Sequence, residues 1–518
     1  MRLISKLLGF VPALLALMVL AASPAAAQDL EEFEKSITEF TLDNGLHFIV
    51  LERHDAPVVS FQTYVDVGSV DDPKGRTGLA HMFEHMAFKG TPVVGSLDYG
   101  KERVALDRVN ETVEALEAER RKGHLADPKK LEALRQQVAE AVESASELAN
   151  SEEFSRLIEE NGGTGLNAGT ASDATFYVMS LPSNRLELWF YLESERFIHP
   201  VFRDFYKERD VVREERRMRT ESSPLGKLIE VFLGNAYVAH PYGWPGVGWA
   251  SDIASLTVED ARKFFETYYV PANMTIAIVG DVDPERARAL ADAYFSRLPK
   301  RPLPPPVETE EPPQEGQRRV EVVSESQPIA LLGYKKPSKY HPDRAVFDVI
   351  SSVLSGGRTS WFYKELVRDR QIALQAGGFP DFPGDKYTSL FLFYSFPSSG
   401  HTVDENEQAM YELIERLKAN GPEREELAMV KTKARAGLIA GLDENSGLAS
   451  QLASYHVGYG DWRQLFRWLD EINAVTAEDV QRVAKQYFTS QNRTVGYLVK
   501  PPAPDDPPSK SAAPKSGG

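Results

Sequence analysis

The feature that most limits the fold of this chain is an internal repeat. A predicted helix–strand unit over residues 257–279 recurs over residues 476–498, a shift of 219 residues without a gap. The identical pairs are Thr257/Thr476, Glu259/Glu478, Asp260/Asp479, Tyr268/Tyr487, Asn273/Asn492 and Thr275/Thr494. Both copies begin with a threonine N-cap and acids in the first turn, which stabilise a helix start. Two unrelated units with good caps remain the alternative, but the identity continues into the strand. We therefore predict two related α+β domains.

The chain around the two copies divides into recognisable segments. A proline-rich linker over 299–316 separates an N-terminal domain, 28–298, from a C-terminal domain, 317–500, and the tail 501–518 is predicted to be disordered. Within the first domain, apolar residues recur at helical spacing from 99 to 150 among charges of both signs. This pattern predicts an inserted, solvent-exposed antiparallel helical hairpin. We interpret its charges as solvated faces, with a docking role as the alternative.

Several further elements follow from periodicity and turn signals. An Asn44-Gly45 pair joins two short predicted strands within 41–50, a typical hairpin turn. Alternation predicts further strands, and longer apolar stripes predict helices. The additional predicted strands are 58–67 and 176–181, and the predicted helices include 81–88, 185–196 and 203–219.

The first 27 residues have the organisation of a secretory signal peptide. Arg2 and Lys6 precede an apolar run from Leu7 to Ala22, and small residues end at Ala27. A membrane anchor is the alternative, although the apolar run is short for a span. We predict cleavage after Ala27, with no transmembrane anchor in the mature protein. In a Gram-negative bacterium, the protein would cross the inner membrane and reach the periplasm.

Composition restricts the chemistry that is possible. The chain has 518 residues and no cysteine, which excludes disulfides, a catalytic thiol and iron–sulfur clusters. Any metal must therefore be held by histidine, aspartate or glutamate. The formal net charge of -17 argues against a nucleic-acid partner, which would require a basic surface.

The most informative motif is His81-x-x-Glu84-His85. On a helix, histidines four residues apart project from one face, so both imidazoles can reach one metal ion. Zinc suits two imidazoles and one carboxylate, with a fourth position open to water, and Glu84 is placed to act on that water. A chain of this composition would contain the motif by chance only ~0.03 times. We interpret most of the other histidines as surface or structural residues without ligand spacing: His47, His54, His124, His199, His240, His341, His401 and His456.

A third metal ligand could come from a helix in the first domain. Glu208, Val211, Val212 and Glu215 follow the stripe that faces a core, while Glu214 turns away. Glu208 and Glu215 would then lie on a buried face, on either side of the two valines, and buried carboxylates need a partner or a metal. Two acids on a solvated, charged helix are an equally compatible interpretation.

The order of these motifs resembles that of a known family. His81-x-x-Glu84-His85 is the inverted zinc motif, and with Phe88-Lys89-Gly90-Thr91 it closely resembles the pitrilysin/insulinase family. That family includes the beta subunit of mitochondrial processing peptidase and bacterial homologues. The resemblance spans most of the mature chain, and its other matching segments are 159–163, 167–177, 208–215 and 356–360.

The resemblance implies a zinc-dependent endopeptidase with one Zn²⁺ per chain. The family's zinc ligands correspond to His81, His85 and Glu215. Glu84 matches the general base, which takes a proton from a water activated by the metal, and Glu208 matches a further acid near the metal. No covalent enzyme intermediate is needed.

The resemblance also implies how a substrate is held. Asn167 and Ala168 match an edge strand that binds the substrate backbone by strand addition. Arg368 matches an arginine that contacts the substrate from the C-terminal half. Gln375 stands where the family has a tyrosine seven residues later, so a partner chain or a nearby side chain would have to supply that group.

The implied architecture is half of a clam-like chamber. Each of the two related domains would be a mainly antiparallel sheet packed with helices, and four such domains enclose the family's chamber. This chain provides two, so we expect a homodimer or a heterodimer with a related chain. The substrates would be peptides or unstructured segments. The alternatives are a catalytically weak or inactive peptide-binding partner subunit and a purely peptide-binding periplasmic module.

Overall fold

A computed structural model describes residues 33–501, so the predicted signal peptide and nearly all of the predicted tail lie outside the described residues. The first half contains β1 (Ile37–Thr41), β2 (His47–Glu52), β3 (Val58–Val65), α1 (Leu79–Met86), α2 (Tyr99–Arg120), α3 (Pro128–Ser146), α4 (Glu153–Glu160), β4 (Thr164–Thr170), β5 (Thr175–Pro182), α5 (Leu186–Ile198), α6 (Phe205–Arg216), α7 (Pro224–Ala236), α8 (Ala250–Ile253), α9 (Val258–Tyr268), β6 (Met274–Gly280) and α10 (Pro284–Phe295).

The second half is shorter. It contains β7 (Arg318–Val323), β8 (Ile329–Lys336), α11 (Arg344–Ser355), β9 (Ala373–Phe382), β10 (Ser389–Pro397), α12 (Val403–Asn420), α13 (Arg424–Gly441), α14 (Asn445–Tyr459), α15 (Gln464–Ala474), α16 (Ala477–Tyr487) and β11 (Arg493–Val499). Two π-helical turns, Arg217–Glu221 and Tyr363–Asp369, complete the regular structure used below. No helix in residues 33–501 combines the length and apolarity needed to cross a membrane.

The two sheets have the same topology. The first has the strand order β1-β2-β6-β3-β5-β4 and the second β7-β11-β8-β10-β9. In each, the last strand of the half lies between a parallel and an antiparallel neighbour: β6 between β2 and β3, and β11 between β7 and β8. Strand β1 is an addition at one edge of the first sheet. The predicted α+β fold of two related, mainly antiparallel domains is confirmed.

The repeat also has the same local chemistry in both halves. Thr257 and Thr476 each form a reciprocal capping box with the aspartate three residues later. Asn273 and Asn492 each donate an amide N–H to the carbonyl five residues earlier, at 3.0 and 2.8 Å. These asparagines join the end of the helix to the start of the strand, which explains why the identity extends beyond the caps.

Each half contributes a helix to the other half's sheet. Helix α14 covers the outer face of the first sheet, where Leu452 shares a buried apolar cluster with Ile49. Helix α7 covers the second sheet, where Phe232 shares a cluster with Leu331. A Cβ on Gly333 would lie 2.7 Å from the Phe232 ring, so a larger residue there would displace α7. The halves are therefore tied by two apolar contacts.

The predicted hairpin forms, but it is not uniformly exposed. Helices α2 and α3 pack against each other, and Leu125 at the tip is exposed. At the base, Val109 and Ala141 belong to the core cluster of the first domain. Glu102 is fully buried in an ion pair with Arg203. The expectation of a solvated insertion is therefore wrong for the base, because its inner face completes the domain core.

The segment predicted as a linker has no helix or strand between α10 and β7. It is nevertheless fixed in place. The Glu311 carboxylate accepts backbone N–H bonds from Val238, Ala239 and His240, and it forms a buried ion pair with Lys335. The linker therefore follows the surface of both halves instead of moving freely.

Candidate metal centre

Helix α1 presents the two motif histidines on one face. Gly78 precedes it in a left-handed conformation with φ of 93°. The buried Asp72 carboxylate accepts the N–H groups of Gly78 and Ala80 at 2.7 and 2.9 Å, which caps the helix start. Phe83 and other apolar residues of the helix face the domain core. His81 and His85 are left on the side that faces α6.

The three predicted ligands come together. Glu215 Oε2 lies 3.4 Å from His81 Nε2 and 3.6 Å from His85 Nε2. One possible ligand atom from each residue lies within 4.8 Å of the other two. The side chains of His81, His85 and Glu215 are only 9%, 22% and 15% exposed, so the cluster is largely removed from water.

The cluster fits a zinc ion. Within residues 33–501, Glu215 Oε2 is buried without a hydrogen-bond partner, although it faces two imidazole nitrogens. A buried polar atom of this kind needs a partner or an ion. Burial lowers the pKa of His81, which favours the neutral imidazole that binds metals. Two imidazoles and a carboxylate are a common zinc ligand set with one position left open.

Further residues orient these ligands. His85 Nδ1 lies 3.2 Å from Glu208 Oε2, and Lys89 Nζ lies 2.6 Å from Glu208 Oε1. When His85 Nδ1 donates to Glu208, its Nε2 keeps a lone pair directed at the cluster. Arg219 holds Glu215 Oε1 at 2.6 Å, which leaves Oε2 facing the imidazoles. The sequence indicated Lys89 only as part of a matching motif, without a role, and it did not indicate Arg219, although the i, i+4 spacing of Arg219 from Glu215 is typical of an ion pair.

Helix α6 differs from the predicted stripe at one position. Val212 is fully buried, as expected, but Val211 is 49% exposed. Glu208, Val212 and Glu215 follow one another at four- and three-residue spacing on the packed side of this helix, and Val211 lies outside it. Glu214 points away and pairs with Arg217, as the sequence indicated.

The start of α6 is held by the base of the hairpin. Asp204 precedes the helix with φ of 55°, and its carboxylate accepts hydroxyl bonds from Ser146, at 2.6 Å, and from Ser151. The adjacent Arg203 pairs with Glu102 and also donates to the Lys89 carbonyl. The hairpin thus fixes the point from which Glu208 and Glu215 project.

A cavity of about 490 Å³ opens beside the three predicted ligands. Glu84 lines it together with the three ligands, as does Ala168 on strand β4. Among the described strands, β4 pairs only with β5 and forms an edge of the first sheet. Asn167 lies on the same strand and is exposed. Glu84 and Ala168 therefore lie beside the predicted ligands, whereas Asn167 is on the same strand but is not among the described residues that line the cavity.

The predicted substrate arginine lies elsewhere. Arg368, in the π-helical turn Tyr363–Asp369, is exposed, pairs with Asp369 at 2.6 Å and is not among the described residues that line the cavity. Gln375 lies on β9, an edge strand of the second sheet, and its amide donates to the Tyr394 hydroxyl at 3.0 Å. A tyrosine hydroxyl is therefore present next to Gln375, supplied by the neighbouring strand.

Comparisons with known proteins support the resemblance seen in the motifs. The family model for "Insulinase (Peptidase family M16)" matches residues 48–103, and the model for "Peptidase M16 inactive domain" matches residues 255–434. The zinc protease PqqE of Helicobacter pylori is 29% identical over 503 residues, covering 96% of this chain and 98% of that protein. A probable mitochondrial-processing peptidase subunit beta of Arabidopsis thaliana is 24% identical over 474 residues, covering 88% and 77%.

Solved structures share the fold. The crystal structure of a protease from Helicobacter pylori has a TM-score of 0.75 and 28% identity, covering 89% of this chain and 99% of that one. The periplasmic protease PqqL from Escherichia coli has a TM-score of 0.65 and 18% identity, and the match covers 90% of this chain but 48% of PqqL. A two-domain chain of this kind therefore corresponds to about half of that larger protein.

Proposed function

We propose that this chain, which carries domains of peptidase family M16, the insulinase family, is a zinc-dependent endopeptidase. Its substrates would be peptides or unstructured polypeptide segments. The observation that carries the proposal is the convergence of His81, His85 and Glu215 beside Glu84 in one cavity. One Zn²⁺ would be held there by the two imidazoles and the Glu215 carboxylate.

The zinc ion and the side chains would have different roles in the reaction. A bound zinc ion lowers the pKa of water and polarises a carbonyl group. A carboxylate oxygen of Glu84 takes the proton of the attacking water and returns it to the leaving amide nitrogen. Glu208 and Lys89 hold the His85 ring, and Arg219 holds the Glu215 carboxylate, so little reorganisation is needed during the reaction.

The edge strand beside the cavity supports an extended substrate. The backbone groups on the outer edge of β4 are available to pair with a peptide, and Ala168 brings that edge to the metal cavity. An added strand engages one extended backbone at a time, which favours unstructured segments over folded proteins. Arg368 would contact a substrate only outside this cavity.

A second candidate function is an inactive or weakly active peptide-binding partner subunit. It is favoured by Gln375 at the family's tyrosine position and by the match of residues 255–434 to a domain described as inactive. In either case we propose that two chains assemble, as a homodimer or with a related chain, because this chain corresponds to about half of the E. coli protease. We also propose that residues 1–27 direct the protein to the periplasm.

The deciding experiment is Glu84→Gln. We expect hydrolysis of an unstructured peptide to fall by about 10²–10⁴-fold, because the proton acceptor is lost. The zinc content should stay unchanged, since Glu84 is not a ligand. His81→Ala should lose one zinc per chain, and the exposed Glu214→Gln should change neither property. Full hydrolysis by Glu84→Gln would refute the mechanism. A zinc-loaded wild type that binds peptides but cleaves none in a library would establish the partner-subunit alternative.

A further inference from the structure

A second cluster of possible metal ligands lies where the two halves meet. Glu39 on β1, His47 on β2 and His456 on α14 each offer one ligand atom, and these atoms lie within 4.8 Å of one another. We propose that these three residues form a second site for a divalent transition-metal cation of the zinc class, which ties the first sheet to the helix contributed by the second half.

The fold places these residues together for simple geometric reasons. Glu39 and His47 lie on the face of the first sheet that α14 covers, because side chains alternate along β1 and β2 and Ile49 is on that face. On α14, Leu448, Leu452 and His456 follow one another at four-residue spacing. The same helix stripe that buries leucines against the sheet therefore ends in an imidazole opposite His47.

The cluster has the same set of side chains as the candidate metal centre described above. His47 Nε2 lies 3.5 Å from Glu39 Oε2, close to the 3.4 and 3.6 Å that separate the first centre's imidazole nitrogens from Glu215 Oε2. Arg463 holds the other carboxylate oxygen, Glu39 Oε1, at 3.0 Å, as Arg219 holds Glu215 Oε1. Both clusters thus contain two imidazoles and one carboxylate whose second oxygen is fixed by an arginine.

Two ring nitrogens of this cluster lack hydrogen-bond partners. In the described part of the chain, His47 Nε2 and His456 Nδ1 are buried without hydrogen bonds. His47 Nδ1 lies 2.9 Å from the Thr41 hydroxyl, and when it donates there, Nε2 presents a lone pair to the Glu39 carboxylate. A cation would satisfy both nitrogens and the carboxylate.

The ligand chemistry selects the ion. Two imidazole nitrogens suit zinc and its neighbours, whereas calcium and magnesium prefer oxygen ligands. The His47 and His456 rings are stacked, with centroids 3.8 Å apart and planes within 3°. Binding requires one ring to turn so that both lone pairs point at a single centre. Ion binding would therefore break the stacking of the two rings and form coordinate bonds across the contact between the halves.

The test counts zinc in variants of the full mature chain. The double variant His81→Ala/His85→Ala removes the first centre, so any zinc that remains reports the second. We expect two zinc ions per chain in the wild type, one in the double variant, and none when His456→Ala is added. His54→Ala is the matched control, because His54 is exposed and each ring nitrogen already contacts a carboxylate. It should leave the count unchanged.

A stability measurement gives an independent readout. Zinc added to the chelator-treated double variant should raise its unfolding temperature, and the rise should disappear with His456→Ala or with the charge-only change Glu39→Gln. His456→Ala alone should keep peptide hydrolysis, which separates this site from the proposed active centre. The proposal is overturned if the double variant binds no zinc. It is equally overturned if folded Glu39→Gln and His456→Ala variants retain the second ion.

Discussion

Replacing Glu208 by glutamine would test how much of the metal affinity depends on a residue that does not touch the metal. The carboxylate accepts from His85 Nδ1 at 3.2 Å and pairs with Lys89 at 2.6 Å. Glutamine has the same shape, but its single carbonyl oxygen can satisfy only one of these donors. Its NH₂ group would then face either the imidazole N–H or the ammonium group, and the His85 ring would lose its fixed orientation.

The expected magnitude follows from the bond that is lost. A hydrogen bond to a charged group contributes about 1.5–3 kcal/mol. Since 1.4 kcal/mol corresponds to a factor of ten in an equilibrium constant, zinc affinity should fall by about 10–100-fold, the range found for residues that orient metal-binding histidines. Competition with a chromophoric chelator at pH 7.5 would measure the zinc dissociation constants, with the proposed second site removed by His456→Ala.

Two control variants separate the orientation effect from a general loss of negative charge. Glu214→Gln removes one charge from the same helix, but Glu214 pairs with Arg217 at the surface. The zinc affinity of this variant should therefore stay within about twofold of that of the parent protein. Lys89→Met leaves the bond between Glu208 and His85 intact and should weaken zinc binding less than Glu208→Gln. Equal affinities for Glu208→Gln and Glu214→Gln would show that Glu208 does not position His85.

Three further predictions concern stability. Arg203→Lys should lower the unfolding free energy by about 2–4 kcal/mol in urea titration, because lysine cannot make the buried hydrogen bonds that the guanidinium group donates to Glu102 and to backbone carbonyls. A loss below about 0.5 kcal/mol would contradict this prediction. The Asp173 carboxylate accepts hydrogen bonds from the Tyr242 hydroxyl at 2.5 Å and from two N–H groups of the second half. Asp173→Asn should therefore speed amide hydrogen exchange at residues 385–386, and an unchanged exchange rate would refute this prediction. Burial lowers the pKa of His240 to about 4, below its unfolded value, so the unfolded chain binds the proton first as pH falls. Between pH 6.5 and 4 the wild type should therefore lose roughly 1–3 kcal/mol more unfolding free energy than His240→Gln in parallel urea titrations, and equal losses would exclude this role.

Local patterns predicted the parts of this molecule that depend on short-range geometry. The i, i+4 spacing of His81 and His85 specifies their common face on any helix, and the repeated threonine caps specify two equivalent helix–strand units. Glu215 could not be identified as a ligand from helix periodicity alone, because periodicity did not decide whether its side of the helix is buried or solvated. It was the order of motifs along the chain that selected it as a ligand.

Contacts between distant segments could not be predicted in this way. The buried residues of α7 and α14 lie on one side of each helix, but no local pattern encodes which sheet that side covers. His47 and His456 had no ligand spacing for the same reason: one lies on a strand, the other on a helix from the opposite half. Glu102, which forms a buried pair with Arg203, lies in the charged segment 99–150 that was interpreted as a solvated surface.

The exchange of helices links the cavity at the candidate metal centre to the contact between the halves. Helix α7 lines the cavity with Ile229 and Leu233, while Phe232 on the same helix packs against the second sheet. A rotation between the halves would therefore move one wall of the cavity relative to α1 and α6, which are fixed to the first sheet. The proposed second metal site lies on the other exchanged helix, α14. An ion there would restrain one of the two contacts, so that motion between the halves would be concentrated at α7, beside the cavity that contains His81, His85 and Glu215.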